Sequence, residues 1–137
     1  MKPPAGPSEI CTSAAPLPVG PYSQAVAHGG LLFVSGQIPI DPGTQKLVAG
    51  EIEAQTERVI ENLAAVLAAG GSSLAGVLRT TVYLADLALF PRMNAVYARY
   101  FDQPPRPARS TIQAAALPLG AQIEIDAIAR QVSQPQT

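Results

Sequence analysis

The chain has 137 residues, a formal net charge of −1, and 14% charged against 47% hydrophobic residues. That length sets one domain as the expectation, and the apolar content argues for a buried core rather than disorder. One histidine (His28) and one cysteine (Cys11) exclude an intrachain disulfide and a His/Cys zinc site built by a single chain.

Residues 1–9 are rich in proline and glycine and read as a loose tail, with the domain expected over 10–131 and a second polar tail over 132–137. Ala14–Tyr22 contains Pro16, Pro18 and Pro21, which forbid a helix and favour an extended, kinked path. Two apolar runs, Gln24–Ala27 and Leu31–Ser35, flank His28-Gly29-Gly30 and read as a β-hairpin. Asp41-Pro42-Gly43-Thr44 is a turn. Glu51–Ala69 is the strongest helix, with Ile52, Val59, Leu63 and Val66 at helical spacing, acids in its first half and Gly70-Gly71 at its end. Val77–Ala85 is rich in β-branched residues and reads as a strand. A second helix is expected over Leu89–Phe101, with Pro91 in its first turn. Ala108–Ala116 and Gln122–Arg130 read as two final strands. In the second, Ile123, Ile125, Ala127 and Ala129 share one face, and Glu124, Asp126 and Ile128 the other. Hairpin, helix, strand, helix and two strands make an α+β two-layer sandwich, a mixed sheet with two helices on one face.

The inventory narrows the chemistry. Ser-His-Asp or Cys-His catalysis would have to use His28, which sits in a hairpin turn. Cys11 has no nearby base. The only lysines, Lys2 and Lys46, fall in tail and turn, unlike a buried Schiff-base lysine. No Lys/Arg run suggests nucleic acid, and no apolar run approaches the roughly 18 residues of a membrane span. No secretory signal is visible, so a cytoplasmic protein is expected. Scarce charge points to a surface partly covered by other subunits.

Arg109, in Pro107-Ala108-Arg109-Ser110-Thr111, begins an otherwise uncharged strand. Its guanidinium offers a planar fork for a carboxylate, or it is a salt-bridged surface arginine. Glu124, in Ile123-Glu124-Ile125-Asp126, is either a solvated outer-face residue or a carboxylate that activates water, its pKa raised by Asp126 on the same face. Tyr22 suits a pocket wall or core packing, and Ser35-Gly36 a close backbone approach to a ligand or a strand-end kink. Asn94 lies within a helix, and Thr111 shares Arg109's face.

The segments Ala15–Ala25, Val34–Pro39, Arg79–Leu84, Asn94–Tyr97, Pro107–Ser110 and Ile123–Ala129 together resemble the Rid (YjgF) family, in order and over nearly the whole chain. The resemblance implies a chorismate-mutase-like fold with a six-stranded sheet. It implies a homotrimer with sites at subunit interfaces and hydrolysis of 2-imino acids such as 2-aminoacrylate and 2-aminocrotonate to 2-keto acids and ammonia. No cofactor or metal is implied. The family's carboxylate-gripping arginine falls on Arg109 and its water-directing glutamate on Glu124; its pocket residues fall on Tyr22, Ser35, Gly36 and Asn94, with the amide of Thr111. Thr111 stands where the family often has cysteine, and Asp126 where it has a second glutamate. A pathway-specific deaminase, such as one acting on 2-aminomuconate, is an alternative within the same chemistry. A non-catalytic metabolite binder or a ribonuclease-like protein is an alternative outside it. A simple hairpin of the last two strands would set Glu124 near Ala114, about 16 Å along the strand from Arg109.

Overall fold

The computed structural model describes residues 6–132. Strands β1 (Ser8–Ile10), β2 (Ala25–His28), β3 (Leu31–Gln37), β6 (Val77–Leu84), β7 (Ala108–Gln113) and β8 (Ile123–Arg130) form one sheet in the order β1-β2-β3-β8-β6-β7. Only β6 and β7 run parallel. β4 (Ile40–Asp41) and β5 (Lys46–Leu47) make a separate two-stranded hairpin around the expected turn. Helices α1 (Ile52–Ala69) and α2 (Phe90–Tyr100) cover one face. This is the expected two-layer α+β sandwich.

Each element follows from local chemistry. Gly29 and Gly30 have φ of 61° and 80°, the left-handed backbone that a two-residue hairpin needs and that glycine reaches without a Cβ penalty. Ile52, Val59, Ile60, Leu63, Val66 and Leu67 bury the sheet-facing side of α1. They meet Leu32, Val82, Leu84, Ile123 and Ile125 in one core, where each fully buried side chain contributes about 1.5–3 kcal/mol. Pro91 sits in the first turn of α2, where its missing N–H has no helical partner to lose. β8 alternates strictly, odd positions buried and Glu124, Asp126 and Ile128 on the far face.

Three expectations are corrected. Ser8 and Glu9, assigned to the N-terminal tail, belong to β1, whose three residues pair with β2. At the other end Val132, assigned to the C-terminal tail, donates its N–H to Gly71 O at 2.8 Å; the rest of that segment lies outside the described residues. The last two strands form no hairpin: β6 lies between them, paired with β8 on one side and β7 on the other. The strand–turn–strand pattern in 108–130 is local, whereas the insertion of β6 is a long-range pairing that no local signal carries.

Candidate active site divided between two faces of the sheet

On the face away from the helices, β3 carries a bulge: Val34 pairs with Ala127 and Gln37 with Ile125, so Ser35 and Gly36 together face Asp126. The bulge keeps Val34 and Gln37 directed into the core and turns the Gly36 backbone toward β8. A Cβ added at Gly36 would lie 2.9 Å from Glu124 Cδ and 3.1 Å from its Cγ, so only glycine leaves room for that carboxyl. Ser35 is fixed by its N–H to Gln24 O at 2.9 Å and its hydroxyl to Ser23 O at 2.6 Å.

Tyr22, Ser35, Gly36 and Glu124 line one cavity of about 690 Å³. Its other walls are largely apolar, Leu17, Val19, Ile38, Ile40 and Leu119 among them. The proline-rich segment forms one wall because Gln24, 2% exposed, clamps it. Gln24 Oε1 accepts from Thr12 N at 2.7 Å, and its Nε2 donates to Thr12 O at 3.0 Å and Pro16 O at 2.8 Å. Burial raises the pKa of the half-buried Glu124 carboxyl, and Asp126, two residues along the same face, raises it further. The Tyr83 hydroxyl donates to Asp126 Oδ2 at 3.1 Å.

The second group lies elsewhere. Arg109 is paired with Thr80 on β6, a residue of the helix-covered face whose Oγ1 lies 2.8 Å from the Tyr97 hydroxyl. Arg109 Nη1 donates to Asn94 Oδ1 at 2.8 Å. Its guanidinium stacks on Tyr97 and Phe90, 4.7 and 5.4 Å from the ring centroids. No carboxylate of the described residues lies within 4.0 Å of Arg109, so it is not spent on an ion pair. Thr111 lies on the same face, opposite Val82. Ala114 donates its N–H to Leu84 O on β6. Amides alternate in direction along a strand, so the Thr111 N–H is directed off the open edge of the sheet.

The structure therefore brings together Tyr22, Ser35, Gly36 and Glu124, and separately Asn94, Arg109 and Thr111, but not the two groups. One strand and three residues of register separate Arg109 from Glu124, about 14 Å of backbone at sheet spacings, and they lie on opposite faces. A carboxylate and the adjacent imine carbon, one bond apart, cannot span that gap.

The Endoribonuclease L-PSP family model matches residues 12–131. The chain belongs to this family, the Rid (YjgF) family. It is 54% identical over 122 residues to Protein DfrA of Myxococcus xanthus, covering 88% of this chain and 92% of that one. It is 48% identical over 120 residues to the chloroplastic Reactive Intermediate Deaminase A of Arabidopsis thaliana, covering 88% of this chain and 64% of that protein. The crystal structure of Escherichia coli TdcF with bound serine superposes with a TM-score of 0.86 at 39% identity, covering 90% and 98% of the two chains. The chorismate-mutase-like fold expected from the resemblance is the one observed.

Two supports of this candidate site carry no assignment from the sequence alone. Gln24 stood in the matched Ser23-Gln24-Ala25 segment without a role, although a glutamine in an otherwise apolar strand start was its signal. Tyr97 and Phe90 flank Asn94 at +3 and −4 on α2, which sets all three on one helix face, and that spacing was legible. His28 is the exposed last residue of its hairpin strand, and Cys11 is exposed. Among the described residues no group of three or more His, Cys, Asp or Glu side chains could hold a metal ion, and no helix is long and apolar enough to cross a membrane.

Proposed function

We propose that the chain hydrolyses reactive 2-imino and enamine acids, such as 2-aminoacrylate and 2-aminocrotonate, to 2-keto acids and ammonia, at sites shared between copies of itself in a homotrimer. The observation that carries the reading is the Glu124 carboxyl held above Gly36 in an apolar cavity, its pKa raised by burial. The kinship to a reactive intermediate deaminase and to a relative that holds an α-amino acid supports the substrate class.

In this reading Arg109 of one copy meets the cavity of another. Its fork binds the substrate carboxylate in two parallel hydrogen bonds. Asn94 holds the fork in place, and the edge-directed Thr111 amide orients the imine. Tyr22 closes the cavity over the substrate. Glu124, as carboxylate, takes a proton from a water that attacks C2 of the protonated imine, and a C–O bond forms as the C=N π bond breaks. The resulting carbinolamine receives that proton on nitrogen; Glu124, again a carboxylate, takes the hydroxyl proton as the C–N bond breaks, so that the C=O forms and ammonia leaves. A raised pKa suits a group that must both accept and return a proton near neutrality. The iminium is electrophilic by itself, so no cofactor is assigned.

The test couples the protein to a serine or threonine dehydratase and follows keto acid release. Release well above the spontaneous rate, abolished by Arg109→Ala and kept by Thr111→Ala, is the expected result. Release no faster than spontaneous hydrolysis overturns the reading, and RNA cleavage that survives Arg109→Ala would install the ribonuclease-like one.

A further inference from the structure

We propose that Tyr97 is a positioning residue for the Arg109 guanidinium, and that it acts by stacking rather than by its hydroxyl. An arginine with no carboxylate partner has four rotatable side-chain bonds and loses its aim unless something holds it. Here three groups of α2 hold it: Asn94 Oδ1 takes one N–H at 2.8 Å, and the rings of Tyr97 and Phe90 lie 4.7 and 5.4 Å from the guanidinium carbon. Tyr97 is the fixed member. It is 6% exposed, its ring packs on Phe101 at 4.5 Å between centroids, and its hydroxyl lies 2.8 Å from Thr80 Oγ1. Thr80 is in turn the cross-strand partner of Arg109, so backbone register and ring position are tied to the same point of β6. A guanidinium held over two ring faces, with one N–H on Asn94, keeps its remaining donors free of any protein carboxylate and so open to a planar anion.

The inference rests on Arg109 as the carboxylate grip, and its test separates the two claims. The Arg109 side-chain Nε–Hε signal, identified by its loss in Arg109→Lys, is followed by NMR in wild type, Tyr97→Phe and Tyr97→Leu. Alongside it, KM and kcat for imine hydrolysis and the Kd for 2-oxobutanoate are measured. Tyr97→Phe keeps the ring and is expected to leave the Arg109 signal shielded and KM within about threefold of wild type. Tyr97→Leu is expected to move the signal toward that of a free arginine, and to raise KM and the keto acid Kd about tenfold with a smaller change in kcat. In an Arg109→Met background, Tyr97→Leu is expected to add nothing to the Kd, a coupling that general destabilisation does not produce. An unmoved Arg109 signal in a folded Tyr97→Leu protein overturns the positioning role, and so does an equal loss in both backgrounds. If Tyr97→Leu fails to fold, Tyr97→Phe decides: a tenfold KM rise there assigns the role to the hydroxyl and refutes stacking. Absent imine hydrolysis with a signal that still moves refutes the proposed reaction and leaves Tyr97 as the support of Arg109.

Discussion

Mixing two inactive variants is expected to restore activity. Arg109→Ala removes the grip and Glu124→Gln removes the base, and each homogeneous protein should fall at least about a hundredfold in turnover. The backbone at these two positions is about 14 Å apart and the side chains leave opposite faces of one sheet, so the proposed shared site draws them from different copies. In a closed ring each site takes Glu124 from one protomer and Arg109 from its neighbour. When the variants associate at random in equal amounts, a given site has an even chance of an intact Glu124 and, independently, of an intact Arg109. About a quarter of all sites are then whole; once the unmixed trimers are removed, every remaining trimer of either composition keeps one whole site in three, so the mixed assemblies should turn over at about a third of the wild-type rate per site. Co-expression with two different affinity tags and tandem purification guarantees mixed assemblies, and native mass spectrometry counts them. The assay is keto acid release from a coupled dehydratase. Mixed assemblies no more active than either parent would refute the shared site.

Gly36→Ala is expected to lower kcat about a hundredfold while costing about 1 kcal/mol or less of stability, because the flexible Glu124 side chain swings off the new Cβ rather than the strand moving; coupled kinetics beside thermal melting check both. Glu124→Gln is expected to raise the melting temperature at neutral pH. Burial lifts the folded pKa, so ionisation opposes folding above it, and the gain should vanish as pH falls below the carboxyl's titration range. The rate should fall with decreasing pH through that same raised pKa, and Asp126→Asn should move this acid limb to lower pH. Gln24→Leu is expected to cost about 2 kcal/mol in urea unfolding, since it removes at once the partners of the partly buried Thr12 N–H and of the partly buried Thr12 and Pro16 carbonyls.

Short-range pattern and long-range pairing were unequally legible. The Gly29-Gly30 hairpin, α1 and the alternation of β8 are local consequences of residue type, and each stands where its residues dictate. That alternation alone set Glu124 and Asp126 away from the core. Strand β1 was hidden because three residues, Ser8-Glu9-Ile10, carry too short a pattern beside prolines. The partition of the site was hidden for a different reason. Which face Arg109 occupies depends on its parallel register with Thr80, a pairing distant in sequence in which each partner also meets a side chain of α2, Tyr97 for Thr80 and Asn94 for Arg109. The notional hairpin of β7 and β8 did register that Arg109 and Glu124 stand apart, but through a pairing that does not exist.

The place of β8 in the sheet has a consequence for the order in which the protein comes into being. It is the last strand of the described residues, yet it stands inside the sheet, fourth from the β1 edge and third from the β7 edge, seated between β3 and β6. As the nascent chain leaves the ribosome, β3 and β6 each wait with an open edge, and the apolar side of α1 has only half a floor to rest on. The gap closes when Ile123–Arg130 emerges, and that closing strand brings Glu124 with it. Folding late and through distant pairings leaves those waiting edges exposed to the pairing errors that chaperones guard against. It also means that a truncated product lacking the base lacks the centre of the sheet as well, so quality control of the fold inspects the chemistry in the same act.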